Sequence, residues 1–306
     1  MVAALKIILL VSFLGVGVFL VRSGLVSHLA LPSTPFTLFS NATGTSRSFV
    51  WQTEARPSVF FSGKWTPATS PAPIWQGGPV APQDIPKGFT ASQLSPYFHK
   101  VRIGSVSPGS VYYYGQVSLY ASLAAENQVD VTGWVFQANR GSQVVPRAVN
   151  LYDPSGLAGE SDIRLSNSDM LNIYSTQSAI GENLRMNKCI GYLENYNHFT
   201  PQLPLSCPYI DRSEIANFTG ACQNVITSVG SCKFPPDNPL IAPTDYACKD
   251  YLSRMNYKGC FERHSGDADF LSHEWRAWAG TRFLDPSHDN VYLYDRLGLL
   301  VDTYSY

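Results

Sequence analysis

The sequence predicts an all-β sandwich that carries a cysteine-rich, largely helical or loop-forming insertion and is preceded by one N-terminal transmembrane helix. Three observations predict this organisation. Short segments of alternating apolar and polar residues recur after residue 97, as in half-buried strands. All six cysteines fall in the C-terminal half of the 306-residue chain, where the strand pattern is interrupted. The chain also begins with an apolar run over residues 7–21.

The N-terminal segment, residues 1–24, is interpreted as a membrane anchor or a signal peptide. Counted from Val2, with Lys6 and Arg22 extending towards the two interfaces, it offers about 20 residues, which is enough to span a bilayer. No small-x-small cleavage site follows Val21, which favours an uncleaved anchor over a cleaved signal and a secreted protein. The positive-inside tendency predicts a single-pass protein with its N-terminus inside and its C-terminal domain extracytoplasmic.

Residues 25–96 are predicted to form a stalk. The stretch is rich in Pro, Ser and Thr, and residues 31–96 hold ten of the 21 prolines of the chain. Such a composition has neither a helical nor a strand period and favours a semi-extended spacer. We expect it to hold the folded part away from the bilayer.

The strands of the predicted sandwich follow in order. Alternation and turn residues place them at 100–106, 111–123, 130–136, 143–145, 162–165, 170–174, 274–280, 290–294 and 298–303. The turn at residues 295–298 is expected to join the last two as a hairpin. Several short strands at this spacing are typical of a sandwich. One capped helix is predicted at 246–255, after Thr244 and Asp245.

The cysteines lie within the predicted insert at about residues 185–273. They are Cys189, Cys207, Cys222, Cys232, Cys248 and Cys260. An even number of cysteines behind an export segment predicts disulfides, with buried free thiols as the alternative. The absence of any Cys-x-x-Cys motif argues against a zinc knuckle or a thioredoxin-type pair. Six cysteines allow fifteen pairings, among which the sequence does not choose.

One polar stretch, residues 264–274, contains the candidate metal ligands His264, Asp267, Asp269 and His273. Imidazole and carboxylate groups of these types bind zinc or calcium. Their spacing matches neither the His-Glu-x-x-His helix nor an EF-hand loop, which favours a solvated loop. We therefore predict neither a metal nor a cofactor.

Composition and motifs exclude several classes of function. Charged residues make up 15% of the chain and the formal net charge is -1, so no nucleic-acid partner is expected. The sequence has no Gly-x-Ser-x-Gly elbow, Walker loop or dinucleotide-binding glycine pattern, and no enzyme is predicted. Trp134 and Trp275 lie in alternating strand patterns and are predicted to fill the core.

Four groups of residues together resemble a lamin tail domain. They are the segments 100–106, 131–135, 162–173 and 291–302, of which Gly133-Trp134 and the closing hairpin are the most specific. The resemblance covers about residues 97–306 and implies an immunoglobulin-like β-sandwich. The cysteine block departs from the compact family pattern, and residues 187–194 look like an extended bacterial form of the domain.

Known lamin tail domains are scaffold or interaction modules, so the resemblance implies no catalytic residue. The function predicted from the sequence is that of a non-catalytic, membrane-anchored, extracytoplasmic interaction or scaffold protein. Its expected partners are the membrane, through the N-terminal helix, and an envelope protein or polysaccharide. The alternatives are a carbohydrate-binding module of the cell envelope and, less favoured, a metal-dependent hydrolase built around His264 and His273.

Overall fold

The computed structural model describes residues 80–110, 112–157 and 159–306. The predicted anchor, residues 1–24, and most of the predicted stalk lie outside these ranges. Within them, no helix has both the length and the apolar character needed to cross a membrane.

The described part of the chain is built mainly of short strands. These are β1 (Val101–Ser107), β2 (Gln116–Ala121), β3 (Val129–Asp130), β4 (Val135–Ala138), β5 (Gly141–Val144), β6 (Arg164–Leu165), β7 (Met170–Tyr174), β8 (Leu184–Asn187), β9 (Leu271–Trp278), β10 (Asn290–Tyr294) and β11 (Leu300–Ser305). The α-helices are α1 (Arg212–Ile215), α2 (Gly220–Ser228), α3 (Tyr246–Ser253) and α4 (Tyr257–His264). Within the described ranges, 3-10 helices lie at Pro82–Asp84, Ala91–Gln93 and Ile190–Asn195.

Two sheets pack face to face in a sandwich-like arrangement, which confirms the predicted β-rich architecture. One sheet has the strand order β1-β2-β7-β9-β8 and the other β11-β10-β4-β5, with β3 and β6 forming a separate pair. Alternate residues of both sheets point into a common core. Phe136 and Leu293 enter it from one sheet, and Leu119, Leu171 and Trp275 enter it from the other. The predicted core positions of Trp134 and Trp275 are confirmed, since each is 2% exposed.

Strand β9 separates two hydrophobic cores. Trp275 and Ala277 point into the sandwich core, whereas Trp278 points to the opposite face. There it packs with Tyr174 of β7 and Leu184 of β8 against the insert. The outer face of the larger sheet is therefore the surface on which the insert rests.

The predicted strand 130–136 is divided into β3 and β4 by a turn. Gly133 lies at its centre with φ +77°, in the left-handed region that favours glycine over any residue with a Cβ. Its N–H donates to Val145 O at 2.9 Å, and the chain then enters β4 one residue beyond Trp134. The Gly133-Trp134 pair therefore turns the chain into an inner strand.

The end of the predicted stalk, residues 80–96, packs on the sandwich. Leu94 and Phe98 are buried against Leu300 of β11, and the N–H of Ser95 donates to Leu300 O at 2.8 Å. The ring of Phe89 lies 5.9 Å from that of Tyr292. This apolar contact extends the ordered unit in front of residue 97.

Candidate functional site

The insert leaves and rejoins the large sheet at one place. Strands β8 and β9 are antiparallel neighbours, and the 83 residues between them form the insert. The N–H of Lys188 donates to Phe270 O at 3.0 Å. A disulfide between Cys189 and Cys260 closes the same end. The insert is thus tied at its base by a backbone hydrogen bond and a covalent link.

The predicted disulfides are confirmed, because all six cysteines are paired. The pairs are Cys189–Cys260, Cys207–Cys232 and Cys222–Cys248. The first two lie in the apolar core between the insert and the outer face of the large sheet. The third lies in a smaller core of the insert itself, among residues of α1, α2 and α3. All three disulfides therefore join parts of the insert to each other: two lie where the insert packs on the sheet, and the third holds its helices together.

The helices around the third disulfide are capped in a coordinated way. Thr219 caps α2 by accepting the N–H of Cys222, and Asp245 caps α3 by accepting the N–H of Cys248. The hydroxyl of Thr219 also donates to the Asp245 carboxylate at 2.9 Å. Such caps satisfy the free amides of a first helical turn. The linked cysteines and the linked caps hold the two helix starts together.

Three of the four candidate metal ligands lie at the base of the insert. Asp267 Oδ2 is 3.1 Å from His264 Nδ1 and 3.0 Å from Lys188 Nζ. The Lys188 ammonium also contacts Asp269. The hydrogen bond from Lys188, followed by that from His264, lowers the pKa of Asp267, and the bonds to Asp269 and Asp267 raise the pKa of Lys188. The Lys188 ammonium therefore occupies the space between the Asp267 and Asp269 carboxylates, where a bound metal ion would have to lie.

The fourth candidate, His273, lies apart from the other three. Its Nδ1 is 2.6 Å from Oδ1 of Asp169, a carboxylate with no exposed side-chain surface. The second Asp169 oxygen accepts the N–H of Ser166 at 2.9 Å. Across residues 80–306 as described, no group of three or more His, Cys, Asp or Glu side chains is placed to hold a metal ion.

A polar cleft opens where the sandwich core meets β6 and the base of β8. It has a volume of about 330 Å³ and is lined by Gln128, Asn150, Ser161, Asp162, Arg164, Arg185 and Trp275. These residues come from five separate parts of the chain. The cleft is the candidate binding site because it combines charged, amide, hydroxyl and aromatic groups in one concavity.

Arg185 lines the cleft beside Trp275, its partner across β8 and β9. Its guanidinium carbon lies 5.3 Å from the centre of the Trp275 ring, within cation–π range. Its Nε donates to Ser272 O at 2.9 Å, and one terminal nitrogen donates to Asn150 Oδ1 at 3.2 Å. These contacts fix the plane of the guanidinium and leave its charge without a carboxylate partner in the described structure.

The cleft is also lined by a carboxylate, that of Asp162, and by a second guanidinium, that of Arg164. Asp162 is paired with Arg147 at 3.1 Å and, more distantly, with Arg296 at 3.9 Å. The side chain of Arg164 is exposed and makes no ion pair or hydrogen bond with any described residue. The cleft therefore holds two guanidinium groups, Arg164 and Arg185, whose charge no carboxylate of the described chain neutralises.

Trp275 contributes a buried donor beside the cleft. Its indole N–H is the single buried side-chain nitrogen or oxygen within the described ranges that has no hydrogen-bond partner. Leaving such a group unpaired costs about 1–3 kcal/mol. The other tryptophan of β9, Trp278, donates its indole N–H to Thr200 O at 3.1 Å.

Sequence patterns gave no indication of this cleft. Asp162 and Arg164 belong to a predicted strand and Arg185 to the start of the predicted insert, where charged side chains are ordinary surface residues. Their convergence depends on long-range pairing. Trp275 was predicted only as a core residue.

Comparison of the chain with protein families, curated proteins and solved structures gave no match. Fold and site define a β-rich, sandwich-like protein with three disulfides and a polar cleft.

Proposed function

We propose that the protein is a non-catalytic, membrane-anchored interaction or scaffold protein whose folded part lies outside the cytoplasm. The observation that carries this proposal is the set of three buried disulfides. Cytosolic thiols are kept reduced, whereas disulfides persist in exported proteins. The apolar segment at residues 7–21 supplies an export signal of the matching kind.

The sandwich supports the insert, and the exposed side of the insert offers a surface for binding. The insert packs on the large sheet through an apolar core that contains two of its internal disulfides, and it exposes Tyr196, Tyr209 and Tyr246, of which Tyr209 is 96% exposed. Tyrosine is enriched at protein interfaces because it offers a large rigid area and a polar tip. We propose that this surface contacts an envelope component.

The proposed family is that of the lamin tail domains, with an immunoglobulin-like topology. Two observations support it. Gly133-Trp134 turns the chain into the inner strand β4, and β10 and β11 form a terminal hairpin closed by the Gly298 N–H to Asp295 O hydrogen bond at 3.0 Å. Both are the positions at which the sequence resembles that family.

The compartment is tested on the full-length protein in its native host. Thiols are alkylated in intact cells, the protein is mapped by non-reducing peptide analysis, and a tag after Tyr306 is probed with external protease. We expect three disulfide-linked peptide pairs and a cleavable tag. Alkylated thiols together with a protected tag would refute the proposal.

The interaction surface is tested by photo-crosslinking in intact cells. A benzophenone amino acid replaces Tyr209 of the insert or, as the matched control, Leu297 of the closing hairpin, which is also exposed. We expect a discrete crosslinked species from position 209 and none from position 297. Equal crosslinking at the two positions would show that the insert is not the contact surface.

A carbohydrate-binding module is the second candidate function. The polar cleft beside Trp275 favours it, because amide, carboxylate and guanidinium side chains are suited to sugar hydroxyls. Retention of the full-length protein on immobilised envelope polysaccharide, compared with an empty matrix, tests this candidate. We do not propose a hydrolase, since His264 and His273 lie in separate pairs.

A further inference from the structure

We infer that the cleft lined by Arg164, Arg185 and Trp275 binds an acidic saccharide, that is, a sugar that carries a carboxylate beside its hydroxyls. This inference rests on the second candidate function and names its site and its ligand class. It follows from the charge, the free hydrogen-bonding groups and the shape of the cleft.

The guanidinium charges of the cleft that lack a carboxylate partner favour the binding of an anion. The Arg164 side chain has no partner among the described residues, and Arg185 is held by a carbonyl and an amide oxygen rather than by a carboxylate. Asp162, the acidic side chain of the lining, already pairs with Arg147 outside it. Planar guanidinium groups bind a carboxylate through two parallel hydrogen bonds. The Arg164 guanidinium, which has no partner in the described chain, is free to bind a carboxylate in this way.

The uncharged lining offers hydrogen bonds that hydroxyl groups can complete. Asn150 accepts from Arg185 through Oδ1, which leaves its NH₂ group without a described partner. Gln128 donates through Nε2 to Ser166 at 3.2 Å, which leaves its carbonyl oxygen free within the described structure. One free donor and one free acceptor suit a hydroxyl group, which both accepts and donates.

Trp275 adds a donor that has no acceptor in the described protein. The residue lines the cleft and its buried indole N–H is unpaired. The cost of that unpaired donor is recovered when an oxygen reaches it.

The shape of the cleft favours a saccharide over an acidic peptide. An extended peptide binds best by adding a strand to an open sheet edge. Here the edge of β8 is occupied, because Arg185 N–H donates to Val149 O at 2.9 Å and Val149 N–H to Asn183 O at 2.8 Å. Apart from Trp275 the lining is polar, so it provides no pocket for apolar side chains. The volume of about 330 Å³ is at the small end of ligand sites, as suits one or two sugar rings.

The test is calorimetric titration of the full-length protein, purified in a mild detergent, with digalacturonic acid at low ionic strength. The neutral disaccharide of the same linkage, inorganic phosphate and triglutamate are titrated in parallel. We expect binding of digalacturonic acid and at least tenfold weaker binding of the other three. Absence of binding, equal affinity for the neutral sugar or for phosphate, or preference for triglutamate would each overturn the inference.

Variants assign the binding to the cleft. Arg164→Gln should weaken binding of digalacturonic acid by about 10- to 100-fold, the equivalent of one lost charge-assisted hydrogen bond. Arg212→Gln, on α1, is the matched control because Arg212 is likewise exposed and makes no ion pair with a described residue; its affinity should be unchanged. Arg185→Lys keeps the charge but removes the planar fork, and should weaken binding without unfolding the protein.

Equal effects of Arg164→Gln and Arg212→Gln would place binding elsewhere and overturn the assignment. The disulfide and protease tests of the compartment do not depend on this cleft. A failure here therefore leaves the extracytoplasmic proposal standing.

Discussion

Removing the Cys222–Cys248 disulfide is expected to loosen the helices of the insert while leaving the sheets intact. Both cysteines are fully buried, and their partners in the small core come from α1, α2, α3 and the loop residues Ile241 and Met255. The sandwich core shares none of these residues. The double variant Cys222→Ala/Cys248→Ala keeps the site apolar and removes only the covalent link and the volume of the two sulfurs.

The size of the effect follows from the length of the closed loop. The two cysteines are 26 residues apart in sequence, for which the chain-entropy treatment gives about 3.5 kcal/mol. The Cys207–Cys232 disulfide provides no shorter path between them, so this value applies with the other two disulfides intact. At about 1.4 kcal/mol per factor of ten, local opening should become two to three orders of magnitude more frequent.

Native-state hydrogen exchange measures this opening peptide by peptide. Amides of α2 and α3 should lose two to three orders of magnitude of protection, and amides of β2 and β7 should exchange as in the wild type. The control variant is Asn224→Ala, an exposed residue of α2 whose side chain makes no described hydrogen bond. A loss of less than about threefold in α2, or an equal loss in β2, would refute the view that the insert core opens independently.

Three further predictions concern the sandwich and the insert base. Phe136→Ala empties a fully buried core position and should lower the free energy of unfolding in urea by about 3–5 kcal/mol; a loss below about 1 kcal/mol contradicts the assigned core. The Asp302 carboxylate accepts the Ile103 N–H at 2.7 Å and so links the two sheets. Asp302→Ala removes this acceptor and should lower the free energy of unfolding by about 1–3 kcal/mol, whereas Asp302→Asn keeps an acceptor and should lower it less. Lys188 lowers the pKa of Asp267, so the pair stabilises the protein above the unfolded Asp pKa of about 3.9, and this contribution is lost as the pH falls through the folded pKa. Lys188→Met should therefore reduce the difference in urea midpoint between pH 7 and pH 3, and an unchanged difference would contradict the pairing.

Local patterns predicted the individual strands well. The bounds of β7 and β10 agree with the predicted segments, and α3 begins at the predicted residue after its Asp245 cap. Where prediction failed, tertiary contacts or turn geometry decided the outcome. Gly133 divides a run that alternates like one strand, and residues 184–187 form β8 only because β9 offers an antiparallel partner.

The cleft and the disulfide pairing depend on long-range topology. β7 and β9 are parallel neighbours although the whole insert separates them in sequence. The antiparallel pairing of β8 with β9 then places Arg185 opposite Trp275 in the cleft that Arg164 also lines, and no periodicity within a short window carries that information. The candidate metal ligands show the opposite case. His264 and His273 are close in sequence, yet they lie in different pairs in the structure.

The adjacent entry and exit of the insert make it a separable module. Asn187 and Leu271 are direct partners across β8 and β9, so a tight turn between them would restore an ordinary hairpin without altering any other connection of the sheets. Excision would expose Tyr174, Trp278 and Leu184, which the insert now covers. An exchange of one loop domain for another at this junction would therefore change what the protein presents while conserving the framework, provided that the replacement shields those three side chains.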